Sequence, residues 1–363
     1  MKNDRTFCST PIEDDFKLLD LMVSDANKVD EIYQPGPYWM NKTKSAVREL
    51  KKFGLSEFRG SVNSAGTSFT DNSIVDRRGS YNFGRASGLS YITRSIVAKI
   101  YRDVYPFNQL FDTQVSLTID YYNSMIKYQS DFLKKNDRVK SLLKKYIMPE
   151  DTSKGGCLSS GDFDGKQISH HYLELLNSLD HVLQNINVES KRSFFEIGGG
   201  FGTNTHLLIE NAPSIKKVIY LDIAPNLYIG TQYLKSFFGR SVIDYRQSKN
   251  MDTITFSNND ELEIFCIMPS QIELIDADID LFHNAHSFVE MPKTVVQNYA
   301  KNIERILSKT NGSISLISYD NFDLNTTFHP DELISFFSCS FEKTVLQTSP
   351  IKNNNRYYYL SSE

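Results

Sequence analysis

Four cysteines, one tryptophan and no long apolar run set the first limits on this 363-residue chain. Cys8, Cys157, Cys266 and Cys339 stand far apart, with no C-x-x-C pair. A zinc site or disulfide framework is thereby disfavoured, and a reducing compartment fits. No apolar stretch approaches the ~20 residues of a membrane span. The opening Met1-Lys2-Asn3-Asp4-Arg5 is polar and leads to Glu13-Asp14-Asp15, without the apolar segment of a secretory signal. The expected location is the cytoplasm. Charge of one sign is also missing: 44 acidic against 40 basic residues leave a net charge of -4, which gives no argument for nucleic acid. What is present, 40% hydrophobic and 23% charged residues, is the composition of a globular chain with ample core, and the length suggests about two domains.

The first part, residues 1–165, shows no repeat and no parallel-strand pattern. Phe16 to Met22 reads as helix. Tyr33-Gln34-Pro35-Gly36-Pro37-Tyr38-Trp39 is a rigid aromatic turn, suited to plugging the N-terminal segment onto the core or to stacking on a sugar. Arg59 to Ser87 is rich in Gly, Ser, Asn and Arg, too polar for core, and reads as a lid, a binding loop or a solvated loop. Arg59 and Arg85 are candidates there for phosphate groups on an acceptor. Leu89 to Ile147 reads as two or three helices, ending in a basic stretch from Lys134 to Lys145 that suggests a solvated face, with an anionic membrane surface or polyanionic acceptor as the alternative. The Gly/Ser/Asp-rich segment Asp151 to Lys166 is the expected boundary, giving a mainly helical substrate or lid region over 1–165 and a second domain over 166–363. Tyr172 to Val188 follows as an amphipathic helix.

The chain is organised around Phe194-Phe195-Glu196-Ile197-Gly198-Gly199-Gly200-Phe201-Gly202. Apolar residues, an acid and then glycines read as a buried parallel strand, a tight turn and a helix start. In the dinucleotide pattern G-x-G-x-x-G the third glycine would fall on Thr203, so that pattern fails. A second strand, Lys217 to Asp222, ends in an acid ~20 residues past the turn, where a ribose-binding carboxylate belongs. Later strands follow. Ser241–Tyr245 and Leu262–Pro269 compete for third place, with the second preferred because it is more continuously apolar. Asp280–Phe288 is the fourth and Ser313–Tyr319 the fifth. A helix is expected over Lys293–Leu307 and another near Pro330–Phe337. Phe341–Leu346 and Arg356–Leu360 pair as a terminal hairpin. The expected fold is α/β, a mostly parallel seven-stranded sheet with an antiparallel edge.

The run Glu196-Ile197-Gly198-Gly199-Gly200-Phe201-Gly202 resembles the first motif of class I S-adenosylmethionine-dependent methyltransferases. With Leu221 to Tyr228, Met268-Pro269-Ser270-Gln271 and Asp280-Leu281-Phe282-His283-Asn284-Ala285-His286-Ser287-Phe288-Val289-Glu290-Met291-Pro292, the C-terminal half resembles a bacterial family of sugar O-methyltransferases. The Thr203-Asn204-Thr205 that ends the loop departs from the family's small residues. The resemblance implies a Rossmann-like domain, S-adenosyl-L-methionine as cofactor, and a small-molecule or glycan acceptor, including a nucleotide- or lipid-linked sugar, in polysaccharide biosynthesis.

For cofactor contact the candidates are Glu196, Gly198, Gly199, Gly200, Gly202, Asp222, Ile223, Ser270, Gln271 and Asn284. A sugar hydroxyl is a weak nucleophile, so a general base is expected past the carboxyl end of a strand near the switch point. His286 is the first candidate, with Glu290 orienting it or binding a sugar hydroxyl, and His283 and His170 are alternatives; His170 is also a candidate substrate contact. His283 and His286 do not have helical zinc spacing, and no metal is expected. Three readings stay open: a sugar O-methyltransferase, a methyltransferase for another acceptor such as a polyketide or amino group, and a non-catalytic cofactor-binding protein. Self-association is left open by the sequence.

Overall fold

The computed structural model describes residues 11–56, 58–59, 109, 124, 126–157, 160–319, 327–338, 343–347 and 355–360. The strands richest in apolar residues form the centre. β3 (Ser193–Ile197), β4 (Lys217–Leu221), β6 (Glu263–Ile267), β7 (Leu281–Ala285) and β8 (Ser313–Tyr319) are buried along almost their whole length, because helices cover both faces of the sheet. The sheet order is β5-β6-β4-β3-β7-β8-β10-β9, where β5 is Val242–Ile243, β9 is Lys343–Gln347 and β10 is Asn355–Leu360. Strands β5, β6, β4, β3, β7 and β8 are parallel to their neighbours, whereas β10 runs antiparallel to both β8 and β9. The order turns back at β3, between β4 and β7, which places a crevice at its carboxyl end.

The two segments competing for third place both belong to the sheet. Leu262–Pro269 holds the core strand β6, and Ser241–Tyr245 holds β5, a two-residue edge strand beside it. The sheet therefore has one strand more than the seven expected. The segment Asp280–Phe288 is strand only to Ala285 and then turns through His286 into a 3₁₀ turn, Ser287–Glu290. The segment near Pro330 is likewise 3₁₀, Pro330–Phe336.

On one face lie α4 (His170–Asn185), α5 (Thr203–Asn211) and α6 (Ala224–Phe238); on the other lies α8 (Lys293–Leu307). α8 buries Val295, Val296, Tyr299, Ile303, Ile306 and Leu307, the stripe its 3.6-residue period dictates. α6 carries Pro225 in its first turn, where the missing N–H costs nothing.

The N-terminal elements pack on the α4–α6 face. α1 (Phe16–Ala26) sets Leu18, Leu19 and Met22 into the same core as Tyr228 and Tyr233 of α6. Arg246 and Lys249, flanking or within the short α7 (Tyr245–Ser248), pair with Asp15 at 2.5 Å and Asp25 at 2.8 Å. α2 (Pro37–Phe53) follows a 3₁₀ turn, Glu31–Tyr33. α3 (Asp137–Lys145) carries part of the basic stretch. Its face is not wholly solvated, since Arg138 and Lys145 both pair with the buried Asp180 of α4, at 2.5 and 2.7 Å. The expected boundary at 165/166 is the turn of an antiparallel hairpin, β1 (Ser160–Phe163) with β2 (Lys166–Ser169), and the core is continuous across it.

Candidate active site at the carboxyl edge of the sheet

β3 delivers the chain to a turn in which Gly198, Gly200 and Gly202 have φ of 72°, 65° and 86°. At Gly198 a side chain would be excluded twice, by the left-handed backbone and by the Ser287 hydroxyl that a Cβ would run into. The Gly200 amide donates to Asp222 Oδ2 at 2.9 Å, and the Ile223 amide donates to Asp222 Oδ1 at 2.7 Å. The acid at the end of β4 is thus joined to the glycine turn at the end of β3. Burial pushes the Asp222 carboxyl up to about 7, an effect that these two amides and the Asn226 side chain oppose.

Glu196 lies below this turn rather than over it. Its buried carboxylate accepts from Asn204 Nδ2 at 2.9 Å and from the Thr205 hydroxyl, and burial raises its pKa. Gly199 leaves it room, because a Cβ there would meet Glu196 Oε2 at 2.7 Å. Glu196 ties the turn to the first residues of α5, and the Thr203-Asn204-Thr205 variation supplies its partners.

Two further candidates sit inside turns. Gln271, expected near adenine, accepts from the Met268 amide at 2.9 Å and donates to the Ser248 carbonyl at 3.0 Å, clamping the end of β6 to α7. Ser270 beside it is half-buried. Asn284 is fully buried; it donates to the Ile197 carbonyl at 2.8 Å and to Ser287 Oγ at 2.6 Å, and accepts from the Phe288 amide at 3.3 Å. It locks the end of β7 to the start of the glycine turn.

The two histidines at the end of β7 separate, one in the strand and one just past it. His283 points into the core against Phe194, with Nδ1 3.1 Å from Ser315 Oγ. Burial, with His286 nearby, pushes it down to about 3, so it is a neutral core imidazole and unsuited to exchanging protons with an acceptor. His286 lies just past the strand, half-buried, with φ 66° and ψ -33°. Three contacts hold this uncommon backbone: its amide donates to the Ile317 carbonyl at 2.7 Å, its Nε2 lies 3.0 Å from Asn355 Oδ1, and its ring stacks on Tyr319 at 4.6 Å. Glu290 closes the 3₁₀ turn that follows His286. Its oxygens accept from Trp39 Nε1 and from Tyr319 OH, each at 2.9 Å. The aromatic turn of the N-terminal segment is therefore docked at this edge, with Gly36 packed against Pro292.

His170 and Arg59 stand elsewhere. His170 is buried at the start of α4, its Nε2 2.9 Å from Ser130 Oγ. Arg59 is buried rather than open to phosphate. It donates to the carbonyls of Thr152 and Lys154 and to Ser169 Oγ, and its guanidinium lies 5.0 Å from the ring centre of Phe201. It braces the back of the glycine turn. Arg85, and the Gly/Ser/Arg-rich loop beyond residue 59, lie outside the described residues.

Trp39 belongs to the aromatic turn expected to stack on a sugar or to plug onto the core, whereas Tyr319 and Asn355 were not among the expected site residues. Tyr319 ends a recognisable strand, so its place at the carboxyl edge was available. Asn355 is 69 residues from His286, and nothing local to it signals the contact.

Among the described residues no cluster of His, Cys, Asp or Glu is arranged to hold a metal. Nor, among them, is any helix long and apolar enough to cross a membrane. The sheet, with its antiparallel penultimate strand, the glycine turn at the reversal point and the acid at the end of the next strand define a class I methyltransferase, Rossmann-like fold. No family model and no curated protein matches the chain. Among solved structures it is similar to the pyocyanin biosynthetic protein PhzM, with 11% identity over 52% of this chain and 57% of that one and a TM-score of 0.36. It is similar to a SAM-dependent methyltransferase from Aquifex aeolicus at 11% identity, covering 50% of this chain and 87% of that one, TM-score 0.33. It is also similar to MtNAS, solved with MTA and tNA, at 12% identity, covering 76% and 100% of the two chains, TM-score 0.38. At such scores the fold assignment rests on strand order and the glycine turn, not on any neighbour.

Proposed function

We propose that the chain is an S-adenosyl-L-methionine-dependent O-methyltransferase whose acceptor is a sugar hydroxyl. The observation that carries the reading is the junction of Gly200 and Asp222, which sets a desolvated carboxylate against the glycine turn at the carboxyl end of β3. A vicinal diol donates well to such a carboxylate, and a glycine backbone admits a ligand at close range. The residues fit an adenosine-bearing cofactor on these two grounds. When bound, S-adenosyl-L-methionine supplies a methyl group on a sulfonium centre. The chain's own part is to orient the acceptor, exclude water and take up a proton. His286, just beyond β7, is the group we assign to receive the acceptor's hydroxyl proton. What supports a sugar over an apolar acceptor is its polar company: Asn355 bonds His286, Tyr319 stacks on it, and Glu290 accepts from Tyr319 and Trp39 behind them.

Calorimetric titration with S-adenosylhomocysteine and, separately, with NAD tests the reading. The native chain is expected to bind the first alone, and Asp222→Ala to weaken it about tenfold or more, the worth of one hydrogen bond to a charged group. Binding of NAD instead, or of neither, would overturn it. His286→Gln, assayed against a panel of nucleotide-sugars and glycans, then separates proton uptake from binding.

A further inference from the structure

The antiparallel strand brings a residue to the site that the parallel strands do not. β10 enters the sheet from the carboxyl edge, so its first residue, Asn355, lies where β7 and β8 end. There it pairs in register with Tyr319, the last residue of β8. The two residues meet His286 from different sides: Asn355 Oδ1 is 3.0 Å from Nε2, and the Tyr319 ring stacks on the imidazole at 28° between planes. A neutral imidazole carries one proton, and the bond made by one nitrogen decides which of the two holds it. An amide oxygen only accepts, so it selects the form with the proton on Nε2.

We propose that Asn355 and Tyr319 are positioning residues for His286. Asn355 holds the proton on Nε2, so that Nδ1 carries the lone pair that takes up the acceptor's hydroxyl proton, and Tyr319 fixes the ring plane. Tyr319 is itself held, since its hydroxyl donates to Glu290, which also accepts from Trp39. The N-terminal helix α2 is thereby coupled to the orientation of the imidazole. The inference rests on the reading of His286 as the proton acceptor.

The test is nitrogen NMR of the full chain, ¹⁵N-labelled on histidine, recorded where the imidazole is neutral. His286 is assigned by its loss in His286→Gln. The native chain is expected to show protonated Nε2 and unprotonated Nδ1. Asn355→Ala is expected to move the tautomer ratio about fivefold or more toward Nδ1–H, the worth of one hydrogen bond. Asn355→Asp, which still accepts, is expected to keep the native form. Tyr319→Leu is expected to retain the tautomer but lose the ring-current shift of the His286 carbon-bound protons. A proton on Nδ1 in the native chain, or no change in a folded Asn355→Ala, overturns the proposal. Because the spectrum needs no turnover, a correct tautomer with full methyl transfer by His286→Gln would instead overturn the reading of His286 as the proton acceptor.

Discussion

Asp222 shows how the burial of a proposed ligand contact acts against the fold. In the folded chain its carboxyl titrates near 7, raised by burial, whereas an unfolded aspartate titrates near ~3.9. Between these values the folded chain holds a proton that the unfolded chain has released. The associated stability is fully present below pH ~4 and is lost as pH rises through about 7. Asp222→Asn removes this titration. Its stability is expected to lack the decline that the native chain shows between pH ~4 and ~7, read from urea midpoints across that range, whatever offset comes from the amide that an asparagine, with one acceptor oxygen, leaves unmatched. A ribose diol donates to the ionised carboxylate, so S-adenosylhomocysteine is expected to bind more tightly above pH ~7, where Asp222 is already ionised, and to release a proton when it binds below that pH. Calorimetry in buffers of different ionisation enthalpy reads that proton. A paired glycine substitution separates space from conformation. Gly198→Ala meets both a positive φ and Ser287, while Gly165→Ala has φ 83° and nothing within 4 Å. The first is expected to cost about 2–4 kcal/mol and the second about 1, compared by thermal unfolding.

Among the elements, the first turn of α2 meets the carboxyl edge of the sheet through a bond between a neutral donor and a carboxylate, Trp39 to Glu290. Trp39→Phe keeps the ring and removes the N–H. Amides at the start of α2 are expected to exchange about tenfold faster or more, with little change in the central strands, read by hydrogen-exchange mass spectrometry. The strands themselves were legible because each is a short, nearly continuous apolar run bounded by polar turns, as in Ser193–Ile197 and Lys217–Leu221. So were the acid at Asp222 and the glycines, whose backbone conformation admits few other residues. The direction of polar side chains was not legible. Glu196, Gln271 and Asn284 stand where ligand contacts belong in the linear order, yet each is engaged inside a turn. That choice depends on carbonyls and hydroxyls from other strands, such as Ile197 and Ser248, which periodicity does not place. The bond between His286 and Asn355 escaped for the same reason: it joins distant stretches of chain.

For the whole molecule, the shared core has a thermodynamic consequence. Leu18, Leu19 and Met22 are buried with Tyr228 and Tyr233, so the N-terminal helix and the sheet stabilise each other. Leu19→Ala is expected to cost about 2–5 kcal/mol. It is expected to shift together the transition seen by Trp39 fluorescence and that seen by far-ultraviolet circular dichroism. Two separated transitions would instead give the region before residue 165 a stability of its own. The sole tryptophan makes the first probe specific to α2. At the far side of the sheet, β6 would by itself present an apolar edge, Ile264 to Ile267, to any extended peptide in solution. The two residues of β5 occupy its hydrogen-bonding groups at Ile264 and Phe265, and the chain then leaves at once into α7. A two-residue strand offers an incoming chain too short a template to extend the sheet, so this small ornament works as protection against edge-to-edge aggregation.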